Sequence, residues 1–414
     1  MKIRGLLLGL ACILVPPGVN AQEILLRHSL EGRALDTLAT LTLEFNETQK
    51  GKARIVLQGP GSIEDKRHLP QMAFLDPDDR MAFFDTLPRF KPLYQVMSEG
   101  RQKFNARTFY PQIAGAVDDA SGRIQALPMG MSVPVLFWNK AAFRKAGLDP
   151  ESPPKTWWEM QARAGSLFDA GVSCPVTTSR FSWVHLENLS TQHNENVLQR
   201  PNRLTLNSLV HVKHLALLSS WNKSLYFHYY GPRLEGDTHF LSGECAMLTG
   251  ESRLYSAILR TPGLDVGIAP LPYYDDVYGA TPRNVLPDGA SLWILAGLTK
   301  AEYQVIAHFV TFLMQPARQR EWVKATGYLP MMPAALPALR DAGVPAAVQE
   351  AAERRLSAPK SPRAVNGGGL ERLRDIVDEE VAAVWRNEIP AKEALDTTVR
   401  RAQGIIEPLT KAWR

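Results

Sequence analysis

The sequence predicts an α/β protein built from layered, largely parallel sheets. Three observations carry that expectation. Short apolar strand candidates alternate with segments whose apolar residues recur at three- and four-residue steps. Hydrophobic residues make up 45% and charged residues 21% of the 414, enough apolar surface to bury a core and too much for a disordered chain. No repeat of about 20–50 residues is visible, so neither a solenoid nor a propeller is expected. At roughly 100–200 residues per domain, the length predicts about two to four domains.

The N-terminus reads as a secretory leader, residues 1–21. Lys2 and Arg4 form a basic start, Gly5 to Val15 is apolar, and Pro16-Pro17-Gly18 breaks any helix. Val19-Asn20-Ala21 then supplies a small-residue cleavage pattern. Cys12 lies mid-segment behind Gly9-Leu10-Ala11, a poor lipid-attachment context. An exported, periplasmic protein is therefore expected. Of 47 basic and 42 acidic residues, removal of Lys2 and Arg4 leaves 45 against 42, a net of +3. That mild excess suits an anionic ligand, and with no Lys/Arg run, nucleic acid is not an expected partner. Cys174 and Cys245 remain after cleavage, and the sequence leaves their pairing open.

The elements follow in order. Glu23 to Ser29 is a short strand candidate ending in a turn. Leu35, Leu38, Leu41 and Phe45 mark the buried stripe of a helix. Ala53 to Leu57 is the next strand, and Met72 to Leu75 another, stopped by Asp76-Pro77-Asp78-Asp79. Pro134 to Asn139 is a strand, followed by a short helix that stops at Gly147. Thr156 caps a helix through Phe168, with Glu159 placed for a capping box. Leu209 to Trp221 is helical, Cys245 to Leu248 and Ser291 to Leu295 are buried strands. Helices are expected over Ala301 to Met314 and Pro316 to Lys324, then a loop at Gly327 to Pro330. Pro359 to Gly369 is a surface connection, Glu371 to Trp385 a helix, and Pro390 opens a last helix towards Trp413.

Catalytic signatures are missing. The chain has no HExxH, CxxC, Walker loop, strand-borne GxGxxG or GxSxG elbow. His211 and His214 fall at i, i+3, but without a third ligand at metal spacing. Adjacent carboxylates such as Asp275-Asp276 are ordinarily solvated. No cofactor, no metal and no enzymatic activity are expected; a secreted hydrolase is the contrasting reading, separable by turnover of a substrate panel.

Several segments carry a resemblance. Ser132-Val133-Pro134-Val135-Leu136-Phe137-Trp138-Asn139-Lys140 leads to Phe143-Arg144-Lys145-Ala146-Gly147-Leu148, then Pro153-Pro154-Lys155-Thr156-Trp157. Ser242-Gly243-Glu244-Cys245-Ala246-Met247, Gly289-Ala290-Ser291-Leu292-Trp293, Thr326-Gly327-Tyr328-Leu329-Pro330 and Ile376-Val377-Asp378-Glu379-Glu380 follow in order. Together they resemble the extracellular solute-binding proteins of ABC importers, and in detail the members that bind sn-glycerol-3-phosphate. The resemblance runs from about Glu23 to the C-terminus and weakens between Gly59 and Gly115.

It implies a two-lobed periplasmic-binding-protein fold of type II with discontinuous lobes joined by hinge segments. Lobe 1 would comprise residues 22–130 and 286–328, and lobe 2 residues 131–285 and 329–414. Ligand would sit in the cleft, hinge closure would enclose it, and the monomeric protein would deliver it to membrane permease subunits. The implied ligand is sn-glycerol-3-phosphate or a glycerophosphodiester, with a sugar or oligosaccharide as the alternative. Ser132, Gly289, Tyr328, Arg374 and Trp157 match ligand-contacting positions: a hydroxyl, a close-approaching backbone, a phenol, a guanidinium fork and an apolar wall. From the residues alone, Ser132 also reads as a turn residue, Gly289 as a bulge, Trp157 as a core aromatic and Arg374 as a solvated helix cation.

The sequence also departs from the pattern. Only Gly59 to Leu69 separates two early strands, short for a crossover. An acidic contact falls on Asp78 or Asp76. Where relatives carry a serine, this chain has Glu251, with Ser252 next to it. A carboxylate there repels phosphate, unless it pairs with Arg253, Arg374 or a cationic headgroup.

Overall fold

The structure, a computed structural model, describes residues 21–59, 69–77, 79–80, 90–119, 121–199, 203–278, 280, 284–359 and 368–412. Residues 1–20, which hold nearly all of the expected leader, and Asp78 lie outside the described residues.

Two mixed sheets organise the molecule. Strands β1 (Gln22–His28), β2 (Ala53–Gln58), β3 (Met72–Leu75), β4 (Leu127–Ser132) and β12 (Asp288–Ile294) form the first, ordered β2-β1-β3-β12-β4. Strands β5 (Pro134–Asn139), β6 (Cys174–Thr178), β9 (Phe227–His228), β10 (Cys245–Glu251) and β11 (Val266–Pro270) form the second, ordered β11-β5-β10-β6-β9. A separate ribbon joins β7 (Leu198–Gln199) to β8 (Arg203–Leu204).

The sequence-level expectation of a largely parallel sheet holds for only part of each. β1 runs parallel to β2 and β3, and β6 parallel to β9 and β10. β12 is antiparallel to β3 and β4, and β5 antiparallel to β10 and β11. The reversal has a topological cause. β5 enters its sheet directly from β4, with Val133 alone between them, and β12 enters from β11 of the other sheet. A strand arriving from the opposite lobe has no helical crossover to turn it parallel.

The helix Gly32–Thr48 buries Leu38, Leu41 and Phe45 on the first sheet, as its apolar spacing predicts. Phe45 meets Phe309 of the helix Lys300–Leu313, with ring centroids 4.9 Å apart. The helix Gly368–Trp385 packs against the second sheet's core through Leu373, Val377 and Val381, and the helix Ala391–Ala412 follows it there. Thr156 accepts the Glu159 N–H, but the Glu159 carboxylate takes the Lys155 N–H, so only half of the expected capping box forms.

The segment from Leu329 to Leu356 packs on lobe 1. Leu329 N–H bonds Met131 O, Met331 O receives the Tyr110 N–H, and Met331, Met332 and Leu356 share a core with Ile24 and Phe309. These bonds join the segment to the first sheet's side of the molecule, whereas the sequence expectation placed residues from 329 onward in lobe 2.

Cys174 and Cys245 are disulfide-bonded. β6 and β10 lie side by side in a register that sets these two residues opposite each other. Among the described residues, no helix is long and apolar enough to cross a membrane.

Candidate functional site

The site grows from the ends of strands that meet where the chain crosses between lobes. Ser132 ends β4, and Asp288, which opens β12, is its register partner. Gly289 follows at φ 147°, and a Cβ there would stand 1.9 Å from Gly130 O. Only glycine lets β12 lie this close to β4. The Gly289 N–H donates to Asp288 Oδ1 at 2.8 Å.

Three guanidiniums converge on that carboxylate. Arg80, just after β3, donates to Asp288 Oδ1 at 2.6 Å and reaches Glu371 at 2.8 Å. Arg180 bonds Asp288 Oδ2 at 3.1 Å and Glu251 at 2.5 Å. Arg374 forks onto Glu187 at 2.6 and 2.8 Å and places its remaining nitrogen 2.5 Å from Asp288 Oδ2. Arg253 approaches the second oxygen of Glu251 at 2.5 Å. Arg80 and Asp288 belong to lobe 1, whereas Arg180, Arg374 and Glu371 belong to lobe 2. The contacts Arg80–Glu371, Asp288–Arg180 and Asp288–Arg374 therefore tie the lobes together.

Local backbone serves this placement. Arg180 holds φ at 51°, an unusual conformation for a side-chain-bearing residue, and it is costly enough to mark a positioned group. Glu187 ends a π-helical turn, Ser182–Glu187, a distortion that recurs at functional positions.

The four arginines Arg80, Arg180, Arg253 and Arg374 face four carboxylates, Glu187, Glu251, Asp288 and Glu371. Burial alone would raise the Asp288 pKa, but Arg374, Arg80 and Arg180 outweigh it and hold the carboxyl well below its ordinary range. Glu251 is lowered likewise: Arg253 and Arg180 overcome its burial. Glu371 moves up, because burial and its neighbours Asp288 and Glu187 prevail over Arg80 and Arg374. Nearby, burial pushes Asp237 up to about 7.

The residues singled out in the sequence divide. Gly289, Arg374 and Glu251 stand in or against the cluster, and Ser132 pairs in register with Asp288. The Ser132 hydroxyl is buried without a hydrogen-bond partner. Arg374 is buried and fully paired, so the solvated-cation alternative fails. The Gly289 N–H is taken up by Asp288. Tyr328 is buried, stacks on Trp322 at 6.2 Å, and has the Arg253 guanidinium 5.8 Å from its ring. Asp76 is close enough to Tyr328 to influence its ionisation. Asp78 lies outside the described residues. Trp157 is buried away from these charges, its ring 4.5 Å from His214 and 5.5 Å from His185. Ser252 is committed elsewhere: its hydroxyl accepts the Val133 N–H at 3.2 Å, and its own N–H donates to Val133 O. Glu251 pairs with Arg253 and Arg180 but not with Arg374.

Arg80, Arg180, Glu187, Asp288 and Glu371 were missed in the sequence. The available signal was positional: Arg180 closely follows β6 and Asp288 opens β12, two strands buried along their whole length, where a charge is rarely placed without a partner.

Three buried histidines have internal roles. His185 bonds His214 at 2.9 Å, His214 bonds the Tyr274 hydroxyl, and His211 bonds Ser190 and Ser208. Burial lowers His185 to about 3 and His211 to about 4, so both rings stay neutral. The cluster can do what a fixed set of buried guanidiniums does. It can grip a carboxylate or an oxyanion bidentately and exchange one for another.

Known proteins resemble this chain along its length. Residues 66–354 match the family described as bacterial extracellular solute-binding protein. The sn-glycerol-3-phosphate-binding periplasmic protein of Yersinia pseudotuberculosis is 32% identical, covering 94% of this chain and 93% of its own. Its counterpart in Salmonella paratyphi A is 33% identical over all of this chain and 99% of its own. In fold, UgpB from Mycobacterium tuberculosis, solved in complex with glycerophosphocholine, superposes with a TM-score of 0.76 at 19% identity, covering 94% of this chain and 100% of its own. The cyclic alpha-maltosyl-1,6-maltose binding protein from Arthrobacter globiformis does so at 0.74 and 18%, with the same coverage.

Proposed function

Because the chain belongs to the bacterial extracellular solute-binding protein family, we propose that it is the periplasmic capture component of an ABC importer and that its ligand is a glycerol phosphate. The ligand is held in the interlobe cleft and handed to permease subunits. The relatives that cover nearly the whole chain carry sn-glycerol-3-phosphate in their names. The observation that carries the reading is the convergence of Arg80, Arg180 and Arg374 on one carboxylate between the lobes, beside the partnerless hydroxyl of Ser132. A phosphate oxyanion suits the same three forks, and the Ser132 hydroxyl suits one of its oxygens.

Charge balance favours the diester over the monoester. Four guanidiniums already meet four carboxylates, so a dianionic monoester adds two uncompensated buried charges. A phosphodiester adds one, and none when a quaternary ammonium accompanies it. This supports glycerophosphodiesters with a cationic headgroup, for which Glu251 is a complementary charge. The sugar alternative draws less support: Trp157, the ring expected to wall the cleft, is buried in the core of lobe 2.

The test is titration calorimetry of the mature protein, Gln22 onward, with sn-glycerol-3-phosphate, glycerophosphocholine and maltose. Binding of a phosphate ligand that weakens tenfold or more in Arg374→Lys, which keeps the charge but loses the fork, supports the reading. Binding of maltose alone overturns it.

A further inference from the structure

A cavity of about 560 Å³ lies on the other side of the crossing segments from the ionic cluster. Neighbouring residues divide between the two. Ser132 and Glu251 face the cluster side, whereas Val133 and Ser252 line the cavity. One wall is lobe 2, with Val135, Tyr255 and Ile268. The other is the late segment packed on lobe 1, with Leu329, Val344 and Val348. The volume falls within the roughly 300–1,000 Å³ of small-molecule sites.

The charges of this lining are one-sided. Arg33, Arg260, Lys324 and Arg355 contribute to it against a single carboxylate, Asp341. Among the described residues, Arg33, Arg260 and Lys324 form no ion pair. Arg355, at the end of the helix Ala346–Leu356, is set deep enough that burial draws its guanidinium down to about 10. An anionic head group held in the cavity is attracted by the three exposed cations Arg33, Arg260 and Lys324.

We propose that this cavity is a second ligand site, distinct from the cleft, that takes an anionic amphiphile: an unbranched acyl chain ending in a carboxylate. The chain lies along the aliphatic walls, and the carboxylate pairs with the lining cations. An uncharged or cationic head forfeits that pairing, and a short polar solute leaves the apolar walls unfilled. The occupant touches both lobes, so it bears on their relative position.

The test titrates the mature protein with dodecanoate and, separately, with dodecyltrimethylammonium, reading stoichiometry by native mass spectrometry and affinity by calorimetry. The expected result is one dodecanoate per chain, bound at least tenfold more tightly than the cation. The double variant Arg260→Gln, Lys324→Gln weakens dodecanoate about fivefold. Ala351→Trp, which fills the cavity, abolishes it. Cleft-ligand titrations and thermal transitions of both variants check that they fold. The proposal is overturned if neither amphiphile binds, if both bind equally, or if a folded Ala351→Trp protein still takes up dodecanoate.

Discussion

Replacing Asp288 by asparagine keeps the shape of the residue at the centre of the cluster and removes its charge. The carboxylate receives Arg80 at 2.6 Å, Arg374 at 2.5 Å and Arg180 at 3.1 Å, and the Gly289 N–H as well. An amide offers one acceptor oxygen and turns its NH₂ towards a guanidinium. Removing one partner of a buried ion pair costs about 3–5 kcal/mol, a large share of a total stability of about 5–15 kcal/mol. At about 2.1 cal/mol/K of unfolding entropy per residue over roughly 390 residues, each kcal/mol is worth about 1.2 °C, so the transition should fall by roughly 4–6 °C. The same substitution removes a negative charge from where the phosphate is proposed to sit. At an effective dielectric near 20, one like charge about 5 Å away is worth about 3 kcal/mol, so anion affinity should rise by at least tenfold. Scanning calorimetry with and without glycerophosphocholine reads both effects. The variant should be the less stable protein alone, and the ligand should raise its transition by more than it raises the parent's. A variant as stable as the parent, or one that the phosphate ligand stabilises no further, would refute the reasoning.

Three further outcomes follow from the same geometry. Glu251→Ser frees Arg180 and Arg253 from their shared carboxylate. It should shift calorimetric preference towards sn-glycerol-3-phosphate, and an unchanged ratio would show that Glu251 does not set it. Asp237, raised by burial to about 7 and accepting the Ser179 hydroxyl at 2.5 Å, binds its proton more tightly folded than unfolded. Its contribution to stability is therefore lost as pH rises from about 4 to 7, and Asp237→Asn should flatten that fall in urea melts, gaining about 2 kcal/mol at pH 8 after allowance for partial exposure. The disulfide between Cys174 and Cys245 spans a separation of 71 residues; a loop that size is worth about 4 kcal/mol by chain entropy, so the double serine variant should melt earlier and lose its sensitivity to reductant.

Much of the molecule was legible locally. The stripe Leu38, Leu41, Phe45 gave a helix because period and burial coincide. Pro134 to Asn139 gave a strand because its apolar run is short and flanked by a turn and a helix start. The ordered motifs from Ser132 to Glu380 gave the family and, with it, the positions of Gly289 and Arg374. Direction within the sheets was not legible, because it depends on which lobe a strand arrives from. Neither was the bonding of Leu329 and Met331 to Met131 and Tyr110, since the apolar residues of this segment fit either lobe by pattern alone.

The sequence by itself determined an exported α/β binding protein with its hinge strands and family-like motifs in order, and it offered the two cysteines without their bond. Tertiary structure alone decided the chemistry of the cleft. Arg80, the pair Arg180 and Glu187, Asp288 and Glu371 come from four distant stretches of the chain, and no local propensity records that they meet. Their charges become affordable inside the protein only through one another, at distances of about 3 Å set by the packing of two lobes. Periodicity reports which face of an element is buried; it carries no information on which charge will stand opposite once it is.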